Sequence, residues 1–426
     1  MRFSSGGWRI GLARGGNLLA DEWMDDFFQV LGKSVLARWR STNFSLERFP
    51  EIAVEALEQS PPADRVEMEK LIEAFLLEDE QPLQSQSGFG EPELIVYENP
   101  HFYIQILFWI DGTTDIHQHQ FSGAFHLLAG ESIHATYEFQ NAQSVSAHLR
   151  VGNLQLLGVE LLETGRTVPI TSGSGHIHAL FHLERPSISV VIRTHNDPGT
   201  GPQFTYLPPH LAVDPFQADA LTTRRKQVLD LLEKLEHPSY PIHLAAMLRG
   251  LDFERGFFIL QNAVGYLRSL GRWEEYWEIF RQRHEALAGY VQPTLNEIIR
   301  RDGLVEMRRM VHEPEHRFFL ALLLNLSSRK DLLAMVGHRF PGKSLPTVMR
   351  WVEELVEVSE FGMGILDAEI PPELLIRETE ETLIAGVLYL IEVADQLKPE
   401  PFKQLSEGDL ESLRATCLRS SLGVLV

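Results

Sequence analysis

Between Leu94 and about Tyr206 the chain is written in short β-branched and aromatic runs separated by Gly, Asn, Asp and Ser. Such runs read as strands closed by turns. The pattern predicts strands over 93–97, 102–109, 116–119, 123–128, 132–140, 147–150, 153–162, 167–170, 176–182 and 187–194. So many short strands at even spacing fit a sandwich or closed barrel and do not fit βαβ units. A barrel of this kind leaves the remaining chain to fold around it.

That remainder keeps a helical period. From Asp21 to Glu78 apolar residues recur as Phe27, Leu31, Val35 and Trp39, and later as Leu71, Ile72, Phe75 and Leu76. Pro61 and Pro62 divide this zone, and the polar, glycine-bearing stretch 81–90 reads as a linker. From about Pro215 helices are predicted over 217–236, 241–250, 253–270, 272–289, 293–312, 315–336, 345–358, 372–396 and 408–420. Pro208 and Pro209 read as punctuation before them. No repeat of fixed period emerges, which favours a bundle over a solenoid. The expected division is a helical cap over 1–90, a barrel over 91–212 and an all-α domain over 213–426, an α+β chain in total. The acidic run 378–381 reads as a solvated helix face.

Charge narrows the partners. With 59 acidic against 38 basic side chains the formal charge is −21. Wrapping nucleic acid or lying on an anionic membrane would need basic patches, so neither is expected. No apolar run reaches the length of a membrane span, and the N-terminus has no uninterrupted apolar stretch of a secretory signal. Cys417 is the only cysteine, which fits a reducing compartment. The expectation is a cytoplasmic protein that takes a small-molecule substrate, with homodimer contacts left open by its helical mass.

The chemistry concentrates in histidines. In Gly112-Thr-Thr-Asp-Ile-His117-Gln-His119 the two histidines alternate, so on a strand they share one face. Two imidazoles on one strand grip a metal from one side only. A third must come from another strand, and Gly173-Ser-Gly-His176-Ile-His178-Ala-Leu-Phe-His182 offers three of matching parity. Parity alone leaves the third ligand open among these. The plain alternative is a pair of surface histidines on an edge strand; a lone His-x-His would support little more. His126 and His134 read as locally hydrogen-bonded, with lining the pocket the alternative for either, and His182 as a supporting or core histidine. Asp115 reads as a turn residue, with a ligand role the weaker alternative.

His117-x-His119, a glycine-ended next strand and a later Gly-x-x-His strand together resemble the two motifs of the cupins. Gly175-x-x-His178-x-x-x-His182 fits the second motif with His182 in the usual asparagine's place. Gly173-x-x-His176 also fits but puts Leu180 there, so His178 is the preferred third ligand and His176 the alternative. The glutamate ligand of most cupins falls at Gly123 or Ala124. Within cupins, residues 102–139 are similar to the cysteine dioxygenase, or thiol dioxygenase, group, and the similarity extends through Pro186-x-x-Ser189. It implies a cupin double-stranded β-helix holding a mononuclear non-haem Fe(II) that brings substrate and O2 together; imidazole ligands by themselves leave Zn, Ni or Mn as alternatives, and the expected substrate is small and anionic.

The departures shape the expectation. The group's reactive cysteine falls at Gly123 or Ala124, and its Ser-x-His-x-Tyr line reads Ser189-Val-Val-Ile-Arg193, which keeps only the serine. No arginine lies between Glu93 and Phe102 to bind a substrate carboxylate. Arg193 takes the tyrosine's place and is the candidate contact for an anionic group, with Ser189 beside it and Trp109 or Phe125 shaping the pocket. Two rival readings are a non-catalytic ligand sensor whose helices recruit a partner, and a zinc cupin that hydrolyses or isomerises.

Overall fold

The structure is a computed structural model that describes residues 21–77, 81–85, 88–110, 112, 114–217, 219–357, 407–418 and 420–426. The helix expected over 372–396 and the acidic run within it lie outside the described residues.

Eleven strands fill the middle of the chain: β1 (Glu93–Glu98), β2 (Phe102–Trp109), β3 (His117–His119), β4 (Gly123–Ala129), β5 (Ser132–Ser144), β6 (Leu149–Leu162), β7 (Thr167–Ile170), β8 (Gly173–His182), β9 (Ser187–Thr194), β10 (Thr205–Leu207) and β11 (Leu211–Val213). All pair antiparallel. β2 pairs with β9, β3 with β8, β4 with β7 and β5 with β6. Such nesting is one long hairpin rolled up on itself, and it defines a jelly roll, here the double-stranded β-helix of cupins. Rolling it yields the sheet β1-β2-β9-β4-β7 and a closed ring β10-β11-β6-β5-β8-β3. Gly130, between β4 and β5, has φ +85°, a conformation that glycine adopts without strain.

Alternation along each strand sends one set of side chains into the barrel and the other outward. The inward set has an apolar cluster of Leu107, Trp109, Phe121, Phe125, Leu127, Leu162, Val168, Ile170, Leu180 and Val191. Outward residues of the first sheet, such as Ile104, Ala124, Val190 and Ile192, are covered by α1 (Asp21–Ser41), α2 (Phe49–Gln59) and α3 (Met68–Leu77). That cap stays put because Val35, Phe49, Ala53 and Leu57 are fully buried against the sheet. Each such side chain contributes about 1.5–3 kcal/mol relative to exposure, alanine less.

The C-terminal helices pack on the ring. Leu149, Val151, Leu211 and Val213 meet α5 (Tyr240–Gly250), α6 (Phe253–Ser269) and α7 (Trp273–His284). α4 (Ala220–Lys234) joins them through Leu229, and Asp219 caps it by accepting from the Thr222 N–H. Ile133, Phe181 and Leu183 meet α8 (Val291–Met310), α9 (Pro314–Asn325), α10 (Arg329–Arg339) and α11 (Ser344–Glu357). α12 (Glu407–Leu418) adds Cys417 to this cluster. No helix among the described residues is long and apolar enough to cross a membrane.

Three expectations change. The single helix over 315–336 is two, α9 and α10, because Ser328 caps a fresh helix with its Oγ accepting from the Asp331 N–H. The strands over 147–150 and 153–162 are one strand, β6. The prolines at 208 and 209 sit in a turn between β10 and β11, two strands that close the ring where a loop into the helices was expected.

Candidate metal centre

β3 brings His117 and His119 to the ring wall between β8 and β10, and His117 stands directly across from His178. Parity therefore puts all three rings on the inner side. One ligand nitrogen from each of His117, His119 and His178 lies within 4.8 Å of the other two. The side chains are 6%, 5% and 2% exposed, so water competes little for those nitrogens.

The hydrogen-bond pattern tests whether an ion fits. His117 Nδ1 donates to the Asp115 carbonyl at 2.7 Å, which leaves the lone pair on Nε2. That buried Nε2 has no hydrogen-bond partner among the described residues. His119 Nε2 faces His178 Nε2 at 2.8 Å. An orphaned lone pair beside two confronted ring nitrogens is costly in an apolar barrel unless something accepts the lone pairs. A divalent cation does so, and the donor set points to a metal cofactor. The Asp115 carboxylate is not needed; its carbonyl orients His117, and its side chain is exposed.

Two more histidines crowd the same wall. His134, on β5, has Nε2 3.0 Å from His178 Nδ1 and Nδ1 3.2 Å from Glu160 Oε1 on β6. His134, His176 and His178 form a second group whose ligand nitrogens lie within 4.8 Å, and His176 Nε2 has no partner among the described residues. His182 stands apart: its Nδ1 meets Ser132 Oγ at 2.9 Å and its ring stacks on Trp109 at 4.7 Å. Trp109 thus abuts His182, whereas Phe125 lies 6.2 Å from His178 and 5.9 Å from His134, ring to ring. His126 meets Thr167 Oγ1.

Arg193 is half-buried. Its guanidinium lies over the Phe121 ring at 3.5 Å and over Tyr103 at 5.1 Å, and Phe121 in turn contacts His119 at 4.3 Å between ring centroids. Its hydrogen bonds go to the Thr194 and His195 carbonyls, and the Glu93 and Asp197 carboxylates act on its charge. A guanidinium with five N–H donors can still take an anion there. Ser189, 3% exposed, shares the inward face of β9 with Val191.

Burial dominates the titration. It holds His117 and His134 below the usual imidazole value and, with the other nearby imidazoles, holds His119 and His178 well below it. His126 and His176 are pushed down to about 4 by the same burial. An unfolded imidazole takes its proton near pH 6.5, so between that value and the folded values the unfolded chain binds more protons. The stability these groups contribute is complete above pH 6.5 and is lost as pH falls toward 4. Metal-free protein should therefore melt at a lower temperature at pH 5 than at pH 7 in scanning calorimetry. An unchanged midpoint would contradict neutral buried imidazoles.

No known family profile matches the chain, and no curated protein matches it. Among solved structures it is similar to a hydroquinone 1,2-dioxygenase in complex with Cd2+ and 4-hydroxybenzonitrile. That likeness has 14% identity and a TM-score of 0.20, over 26% of this chain and 68% of the other. A double-stranded β-helix protein from Klebsiella pneumoniae subsp. pneumoniae MGH 78578 gives 17%, 0.19, 28% and 86% in the same order. A DMSP lyase from Ruegeria pomeroyi DSS-3 gives 18%, 0.24, 42% and 95%. The class itself follows from the strand nesting and the inward histidines: a cupin-type barrel with a three-imidazole wall.

Glu160 carried no signal in the sequence. It reaches His134 only because the β5–β6 hairpin sets His134 opposite Glu160, in a pairing with two register shifts farther along.

Proposed function

We propose that this chain is a metal-dependent cupin enzyme, an oxidoreductase of the non-haem iron dioxygenase kind, that uses O2 on a small anionic substrate, thiols being one class to test. The observation that carries the proposal is the convergence of the His117, His119 and His178 ring nitrogens in a buried wall with one lone pair unclaimed. Three neutral imidazoles cancel none of a divalent ion's charge, and such an ion would supply open positions and Lewis acidity for an anionic ligand. His117, His119 and His178 would hold it. Arg193, aligned over Phe121, would draw the anionic end of the substrate to the side of His119. Phe125 and its apolar neighbours would keep bulk water from the substrate's other face.

Elemental analysis of anaerobically purified protein, with oxygen uptake across a thiol panel, tests this. The expected result is about one iron per chain and uptake that is fastest for thiols bearing a carboxylate. Stoichiometric zinc without oxygen uptake would replace the oxidoreductase with a hydrolase or isomerase. Protein that takes up no metal at all would remove both.

A further inference from the structure

We infer that His134 and Glu160 are positioning residues for the metal centre: a carboxylate–imidazole–imidazole chain fixes His178 in the tautomer that presents Nε2 to the ion. The inference rests on the metal-binding reading above and deepens it, since it supplies a reason for His178 to be the third ligand.

The chain of protons is forced from its outer end. A carboxylate only accepts, so the 3.2 Å contact between Glu160 Oε1 and His134 Nδ1 places the His134 proton on Nδ1. A neutral imidazole has one N–H, so His134 Nε2 carries a lone pair. His178 Nδ1, 3.0 Å away, must then donate to it. That leaves the lone pair of His178 on Nε2, the nitrogen that faces His119. His117 is set in the same way by a different partner, the Asp115 carbonyl on Nδ1, so both rings offer Nε2. Metal-bound histidines ordinarily donate their second N–H to an oxygen or a polar group that fixes the ring. His134 does that for His178, and the half-exposed Glu160, with Arg166 3.7 Å away, anchors His134 in turn. His176 lacks such a partner on Nε2 among the described residues.

One other use of these residues is a second ion held by His134, His176 and His178. It would require His178 to lose its one remaining ring N–H proton and bridge two metals as an imidazolate. The hydrogen-bonded chain needs no such step.

Cobalt(II) titration of metal-free protein, followed by its visible spectrum and by equilibrium dialysis, separates these cases. Wild-type protein should bind about one equivalent. His134→Leu should keep that stoichiometry while losing about 10- to 100-fold in affinity, with an altered cobalt spectrum. His134→Gln should recover most of the loss, because its carboxamide oxygen can accept from His178 Nδ1. Glu160→Gln, a surface-reaching change that should fold whatever His134→Leu does, should weaken binding a few-fold. Wild-type affinity in His134→Leu and Glu160→Gln would overturn the chain while leaving the metal site standing. Two equivalents in wild type and one in His134→Leu would make His134 a ligand and overturn it as well. No uptake by wild type would remove the metal reading and the chain together.

Discussion

His178→Ala protein, purified beside wild type, is expected to carry less than about a tenth of the wild-type metal, whereas His176→Ala keeps most of it. Changing a group that merely orients a ligand lowers metal affinity about 10- to 100-fold, so deleting a ligand should exceed that. Both histidines lie on β8 with inward parity, both are depressed by burial, and both have a place in a three-histidine group. They differ in what surrounds the second ring nitrogen. His178 stands across from His117, faces His119 at 2.8 Å and has its Nδ1 engaged by His134. His176 is only partly buried, its ring centroid is 6.4 Å from that of His119, and its Nε2 lies unengaged among the described residues. Metal per chain by mass spectrometry after dialysis against a weak chelator reads the difference. Equal losses in the two variants, or a greater loss from His176→Ala, would sink the assignment.

Much of the barrel is legible before any coordinates because its strands are short β-branched and aromatic runs between turn residues. β2 is buried on both faces, Ile104, Ile106 and Phe108 toward the N-terminal helices and Leu107 and Trp109 toward the barrel interior. Parity likewise places His117 with His119, and His176 with His178 and His182, on shared faces. What a period of two cannot deliver is register. Nothing local tells that His117 stands across from His178 and His119 across from Gly173, with an irregularity between. Nor does it tell that Glu160 reaches a buried imidazole. Strands of three residues, β10 and β11, are too short to show any period, and Gly152, near the start of β6, reads as a turn although it lies within the strand, where a Cβ would meet the Phe139 ring. The helices err in the same local way: the apolar run through α9 masked the Ser328 cap that ends one helix and starts the next.

Gly123→Ala is expected to destabilise the barrel by about 3 kcal/mol or more, while Gly158→Ala changes it by less than about 0.5 kcal/mol. Gly123 starts β4, directly across from Arg193 on β9. A Cβ there would be driven into the Ile192 carbonyl oxygen and would stand 3.0 Å from Arg193 Cα. Both obstacles are backbone, so no rotamer can yield; β4 and β9 must part where they hold Arg193 over Phe121. At Gly158, on β6, the nearest atom to a Cβ is Thr136 Oγ1 at 3.8 Å, an ordinary contact. The comparison also bears on the reactive cysteine of the thiol dioxygenases. Gly123 has the inward parity of Phe125 but no room for a side chain, and Ala124 turns outward into the core beneath the N-terminal helices. Neither position can bring a thiol to the three histidines, so Gly123→Cys should destabilise like Gly123→Ala and gain no metal-side group. Urea unfolding followed by tryptophan fluorescence measures both glycine variants. Matching midpoints for Gly123→Ala and Gly158→Ala would show that β4 and β9 are not locked together at this point, and Arg193 would lose its fixed place beside the site.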